Sequence, residues 1–162
     1  MFTMTWSLIR STVYTTLVAA STAMTATSVI AADLTGHWKT IDDKTGFAKA
    51  IVSIQKESDG TYSGTVIKTI PRPDYKPQEF CQKCPEPFTN KPIVGLKVLS
   101  GLKQDPDNPL QYVNGRILDP LSGRIYNAKA RISESDRRLT MRGYVGFSML
   151  GRSQSWFRDE RH

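Results

Sequence analysis

The sequence predicts an all-β protein: a single eight-stranded antiparallel up-and-down barrel that follows an N-terminal leader. Three observations carry this expectation. Short runs of alternating apolar and polar residues recur from residue 34 to residue 159. The gaps between most of them are of hairpin length and rich in Gly, Pro, Asn and Asp. Almost nothing after the leader shows the 3.6-residue spacing of an amphipathic helix.

The elements follow in order. LTGHWKT (34–40) and GFAKAIVSIQKE (46–57) flank the polar gap DDKT. In the second run Ala48, Ala50, Val52 and Ile54 share one face, and Lys49, Ser53 and Gln55 the other. Asp59-Gly60 is a hairpin signal, and TYSGTVIKTI (61–70) comes next. A long irregular segment, 71–92, then holds six of the nine prolines, which cannot donate to a sheet ladder. GLKVLSGLKQ (95–104), QYVNGRIL (111–118), RIYNAKARIS (124–133), RLTMRGYVG (138–146) and SQSWFRD (153–159) complete the set.

Alternation within the runs argues against a parallel sheet buried on both faces. An antiparallel meander of this size must bury one face and protect two edges, and closing on itself does both. A two-sheet sandwich is the competing architecture. It is less favoured because the connections are hairpins rather than crossovers. In a closed meander the first and last strands are neighbours. Trp38, near the start, would then plug one end while Arg158, near the end, packs across its ring. Gly36 lets backbone pass close by, and Trp156 is a second core aromatic on the last strand.

Gly36-His37-Trp38 with the closing Arg158 resembles the GxW start and terminal arginine of lipocalins and their relatives. A broader resemblance covers nearly all of residues 33–162. LTGHWKTIDDKTG, CQKCPEP, PIVGLKVLSGLK, NGRILDPLSGRIY and RGYVGFSMLGRSQSWFR resemble the signature blocks of a bacterial exported family, domain of unknown function 2147. The resemblance implies a small, exported, lipocalin-like barrel and assigns fold roles to Gly36, Trp38, Gly143, Gly151, Trp156 and Arg158. It implies no cofactor and carries no catalytic role to any residue.

Residues 1–32 read as a secretory signal peptide: Arg10 is their only charge, an apolar Thr/Ala-rich run follows, and small residues precede Asp33. The Thr and Ser interruptions make a poor membrane span, so none is expected after cleavage. The remaining residues, 33–162, suit one domain with its own core. The chain carries 22 Lys and Arg against 15 Asp and Glu, and loss of Arg10 lowers its formal +7 by one. That balance suits an anionic envelope surface as partner, in the periplasm or outside the cell, but the bases are scattered rather than clustered and equally describe a soluble basic exterior. No nucleic-acid-binding module is present. Oligomeric state leaves no mark in the sequence.

The two cysteines, Cys81 and Cys84, lie within the proline-rich segment. A redox centre would need the pair at a helix N-terminus in a βαβ setting. A zinc site would need four ligands, for which only His37, His162, Glu79 and Glu86 stand as supplements, at no recognised spacing. A local disulfide in an oxidising compartment is the favoured reading, with bridging and metal binding both left open. No metal site is assigned.

Catalytic equipment is sparse. GFSMLG (146–151) has one residue too many for a nucleophile elbow and lacks a following helix; it reads as a Gly-rich turn. Two histidines leave little for acid–base work. No catalytic residue is assigned, and a non-catalytic binding role is expected. Tyr126, Ala128, Ala130 and Ile132 share one face of their strand, and Leu139, Met141, Gly143 and Val145 one face of the next. Small residues there leave room for a ligand. Tyr62, Tyr126, Ala128, Ala130 and Met141 are accordingly the candidate contacts for a small apolar or amphipathic molecule. Large neighbours such as Tyr62, Leu96 or Phe47 could equally fill the space, which would leave an envelope interaction module instead.

Overall fold

The computed structural model describes residues 33–160; the leader assigned to residues 1–32 lies outside them. Eight strands are present: β1 Gly36–Ile41, β2 Ala48–Lys56, β3 Tyr62–Thr69, β4 Lys97–Asp105, β5 Asn108–Asp119, β6 Arg124–Ile132, β7 Arg138–Tyr144 and β8 Gly151–Arg158. Each pairs antiparallel with its sequence neighbours, and β1 pairs with β8 through Trp38–Arg158, Lys39–Phe157 and Thr40–Trp156. The barrel is closed, so no sheet edge is left unpaired. The expected all-β meander is therefore the observed fold, and the sandwich is excluded.

Turn chemistry sets the hairpins. Asp42 Oδ1 accepts hydrogen bonds from the Lys44 and Thr45 amides at 2.9 and 3.0 Å, which closes the β1–β2 connection. Asp59 Oδ1 does the same for the Thr61 amide and hydroxyl at the β2–β3 turn. Asn114, inside β5, adopts φ 61°. There the register slips, since Tyr112 faces Ala130 and Gly115 faces Ala128. Asn tolerates this left-handed conformation, and the resulting bulge bends β5 around the barrel.

The two ends of the barrel differ. The β2–β3, β4–β5 and β6–β7 turns gather at one end with the start of β1 and the finish of β8. This end is packed shut. Leu34, Trp38, Ile54, Leu102, Tyr112, Ile132 and Leu139 are all 1% exposed or less. Tyr62 meets Tyr112 edge-on with ring centroids 5.4 Å apart.

Trp38 donates its indole N–H to the Leu34 carbonyl at 2.8 Å. The Arg158 guanidinium lies 4.4 Å from the Trp38 ring centroid. It donates to the carbonyls of Thr35 at 2.8 Å, Asp33 at 3.0 Å and Asp136 at 2.8 Å, and to the Asp136 carboxylate at 2.6 Å. One side chain thus ties the segment before β1 to the β6–β7 turn. Gly36 makes this approach possible: a Cβ there would stand 2.7 Å from Arg158 Nη1, and its φ of 128° suits only glycine.

The tyrosines at this end are held neutral. Burial first, then the Asp33 charge and the hydrogen bond to it, push the Tyr62 hydroxyl up to about 12. Burial also raises Tyr112. Burial pushes Asp33 upward, but hydrogen bonds from Thr35 and Tyr62 outweigh it and hold the carboxyl below its usual range. A folded-state tyrosine pKa above the unfolded value of about 10 stabilises fully below that pH and loses its contribution as pH rises. Stability is therefore expected to fall between pH of about 10 and about 12. Tyr62→Phe should cost about 1 kcal/mol at neutral pH through the lost hydrogen bond, yet flatten that alkaline decline. Urea titrations at stepped pH measure both effects; an unchanged alkaline slope in the variant would refute the assignment.

Candidate functional site

The opposite end is open. The β1–β2, β5–β6 and β7–β8 connections and the 71–92 segment surround it. Inside lies a cavity of about 510 Å³ to which every one of the eight strands contributes lining. It is the upper half of the barrel lumen. Its walls are Val52, Val66, Val98, Ile117 and Met141, and Trp156 closes the bottom. Around the mouth stand Thr40, Asp42, Asp43, Lys49, Gln78 and Arg152. Apolar depth under a polar rim is the usual build of a small-molecule site.

The rim charges are paired. Arg152 Nε lies 3.0 Å from Asp43 Oδ2, and Lys49 Nζ lies 3.6 Å from Asp42 Oδ2. The amides of Thr45 and Lys44 and the Lys49 charge outweigh the small desolvation of Asp42 and hold its carboxyl below the usual range. The two ion pairs tie Arg152 and Lys49 to the β1–β2 connection at the mouth.

Of the residues the sequence nominated, Tyr126 and Met141 line the cavity. Ala128 and Ala130 are buried below it, in the packed half, as is Tyr62. The reason is local. Ala128 stands beside Gly115, whose missing Cβ would meet Leu102 Cγ at 2.6 Å, and Ala130 faces Tyr112. The small residues accommodate large neighbours rather than leaving space. Leu96 is likewise buried, whereas Phe47 is 56% exposed beneath the Arg72 guanidinium and fills nothing.

The sequence reading passed over Gln154 and Arg152, which line the cavity in phase with Trp156 along β8. Polar residues two and four positions from a core tryptophan are a legible signal of a solvated lumen. Gly143 also lines the cavity; a Cβ placed there would come into ordinary van der Waals contact with Ile117 and Tyr126 at 3.5 Å.

The proline-rich segment forms part of the mouth. Tyr75, Pro77 and Gln78 line the cavity from it, and Ile93 from just beyond it. Cys81 and Cys84 form a disulfide, and both are buried in the core cluster. The Cys81 amide donates to the Lys91 carbonyl at 2.9 Å, and its carbonyl accepts from the Asn90 amide at 3.0 Å. The bridge packs directly on the β5–β6 turn, where a Cβ on Gly123 would collide with the Lys83 carbonyl. The bridge ties the loop to the β5–β6 turn, where Cys81 Sγ lies 3.7 Å from the Pro120 carbonyl oxygen. Among the described residues, no three His, Cys, Asp or Glu side chains gather as a metal site.

A closed eight-stranded meander with a plugged end, an arginine across the plugging tryptophan and a lumen open at the other end defines a lipocalin-like barrel. The chain belongs to the family DUF2147, described as an uncharacterized protein conserved in bacteria, whose model matches residues 36–158. A solved structure similar to it is protein HP1028 from Helicobacter pylori, described as belonging to the lipocalin family. The TM-score is 0.66 and the identity 18%, over 80% of this chain and 84% of that one. At that identity the likeness concerns the fold. A comparison with curated proteins finds no match.

Proposed function

We propose that the protein is an exported, non-catalytic carrier of one small apolar or amphipathic molecule, working in the periplasm or outside the cell. The observation that carries this reading is the lumen of about 510 Å³, apolar at depth and with polar side chains among those at its mouth. That volume falls within the range of small-ligand sites. The leader pattern of residues 1–32 and a disulfide, a bond that persists in oxidising compartments, support export. The alternative, an interaction module with a filled interior, accounts for the packed lower half of the barrel but not for the upper half.

The test combines native mass spectrometry of the protein taken from its own cells with titration by an environment-sensitive apolar fluorophore. Retained small-molecule mass and saturable probe binding are expected. Gly143→Leu adds bulk to the cavity wall beside Ile117 and Tyr126 and should weaken probe binding roughly tenfold or more, since occupying the lumen removes the apolar contact it offers. Equal probe affinity in both proteins would refute lumenal binding.

A further inference from the structure

The loop between β7 and β8 displays apolar side chains that a folded protein ordinarily hides. Val145 is 65% exposed, Phe147 83%, Met149 88% and Leu150 75%. Their display is built rather than incidental. Arg142 Nε donates to the Ser148 carbonyl at 2.7 Å, and its Nη2 to the Met149 carbonyl at 3.0 Å. Lys129 Nζ donates to Ser148 Oγ at 3.2 Å. The loop closes on itself through the Leu150 amide and the Phe147 carbonyl at 3.0 Å. Two cations thus clamp its polar atoms from beneath and leave Phe147 and Met149 projecting. Val145 and Leu150, at its two ends, also line the cavity mouth.

Charge is unevenly divided between the two ends. Acidic residues crowd the turns of the closed end: Glu57 and Asp59, Asp105 and Asp107, Glu134 and Asp136. At the mouth, Asp42, Asp43, Asp74 and Glu79 each lie within 4.0 Å of a lysine or arginine, while Glu86 and Asp119 make no such pair among the described residues. Lys44, Lys91 and Arg124 stand exposed on the segments around the mouth, and Lys129 and Arg142 lie under the loop.

We propose that this loop docks the mouth of the barrel on an anionic lipid bilayer, with Phe147, Met149 and Leu150 entering the interface and the surrounding cations meeting the headgroups. A convex tip of six residues offers far less than the roughly 800 Å² per partner of a stable protein interface. A bilayer asks only for a few apolar side chains with basic neighbours. The mouth then faces the membrane, the phase in which an apolar molecule is held. Docking itself stands independently of whether the lumen binds anything.

The barrel closes within Gly36–Arg158, so the chain from Asp33 onward is the material for the test. It should float with vesicles containing phosphatidylglycerol, remain behind with pure phosphatidylcholine, and be released by high salt. The triple variant Phe147→Ser, Met149→Ser, Leu150→Ser should lose roughly tenfold or more in vesicle affinity with an unchanged melting temperature. Phe147→Trp should show a blue shift in emission on adding the anionic vesicles. Failure to float, or equal binding by the triple variant, would overturn the proposal. So would a wild-type dimer in sedimentation that the triple variant abolishes, which would assign the loop to a second copy of the chain. Because vesicle flotation and probe titration are separate readouts, docking and lumenal binding stand or fall apart.

Discussion

Trp38→Ala is expected to lower the stability of the barrel by about 3–5 kcal/mol, the usual cost of emptying a buried aromatic site. Trp38 is 0% exposed and sits among Leu34, Ile54 and other core side chains at the closed end. Closure by strand pairing gives its surroundings little freedom to collapse into the vacancy. The Leu34 carbonyl also loses its donor. For a domain whose total stability is about 5–15 kcal/mol, such a loss brings the chain near unfolding. Urea denaturation at neutral pH measures it directly. Trp38→Phe separates the contributions: it restores much of the packing and leaves a deficit of about 1–2 kcal/mol for the unpaired carbonyl. A loss below about 1 kcal/mol for the alanine variant would show that the tryptophan merely covers the end.

Arg158→Ala carries the second largest expected effect, about 2–4 kcal/mol from the lost charge-assisted hydrogen bonds and the ring contact. The ion pair with Asp136 contributes little of it, because the Asp136 side chain is half exposed. The larger share comes from three carbonyls, those of Asp33, Thr35 and Asp136, which only a planar fork reaches together. Arg158→Lys keeps the charge but offers one compact ammonium and should recover less than half the loss. Trp38 and Arg158 touch, so their effects should not add. A double-mutant cycle is expected to return a coupling of about 0.5–2 kcal/mol. Full rescue by lysine would mean that charge alone matters at this position.

The architecture was legible because strand alternation and hairpin spacing are local signals, and one face of every strand had to be buried. Boundaries shifted where the signal was mixed. β5 starts at Asn108 rather than at 111, because Asn108 already pairs with Asp105 across the hairpin. β7 stops at Tyr144, where Gly146 takes a positive φ. The alternation places Asn114-Gly115 inside the strand run 111–118. It is a bulge, where Asn114 takes a left-handed φ of 61° and the register with β6 slips.

The site was only partly legible. Alternation names the inward face but not the height along the barrel axis at which a side chain sits. Tyr126 and Ala130 share a face of β6 and meet different fates. Tyr126 stands toward the open end, whereas Ala130 is filled from across by Tyr112. Gln154 and Arg152 were readable as inward by their phase with Trp156, and apolar counting passed over them.

By itself, then, the sequence determined that this chain forms one closed antiparallel meander with a tryptophan near its first edge and an arginine near its last. Those properties follow from backbone pairing and from period-two patterning, which neighbouring residues settle among themselves. Only the tertiary structure decided that one half of the lumen is packed and the other empty, that the cysteine bridge props the mouth, and that the 145–150 loop points its apolar side chains outward. Each of these depends on which side chains from distant strands meet at the same height, and no local pattern encodes that meeting.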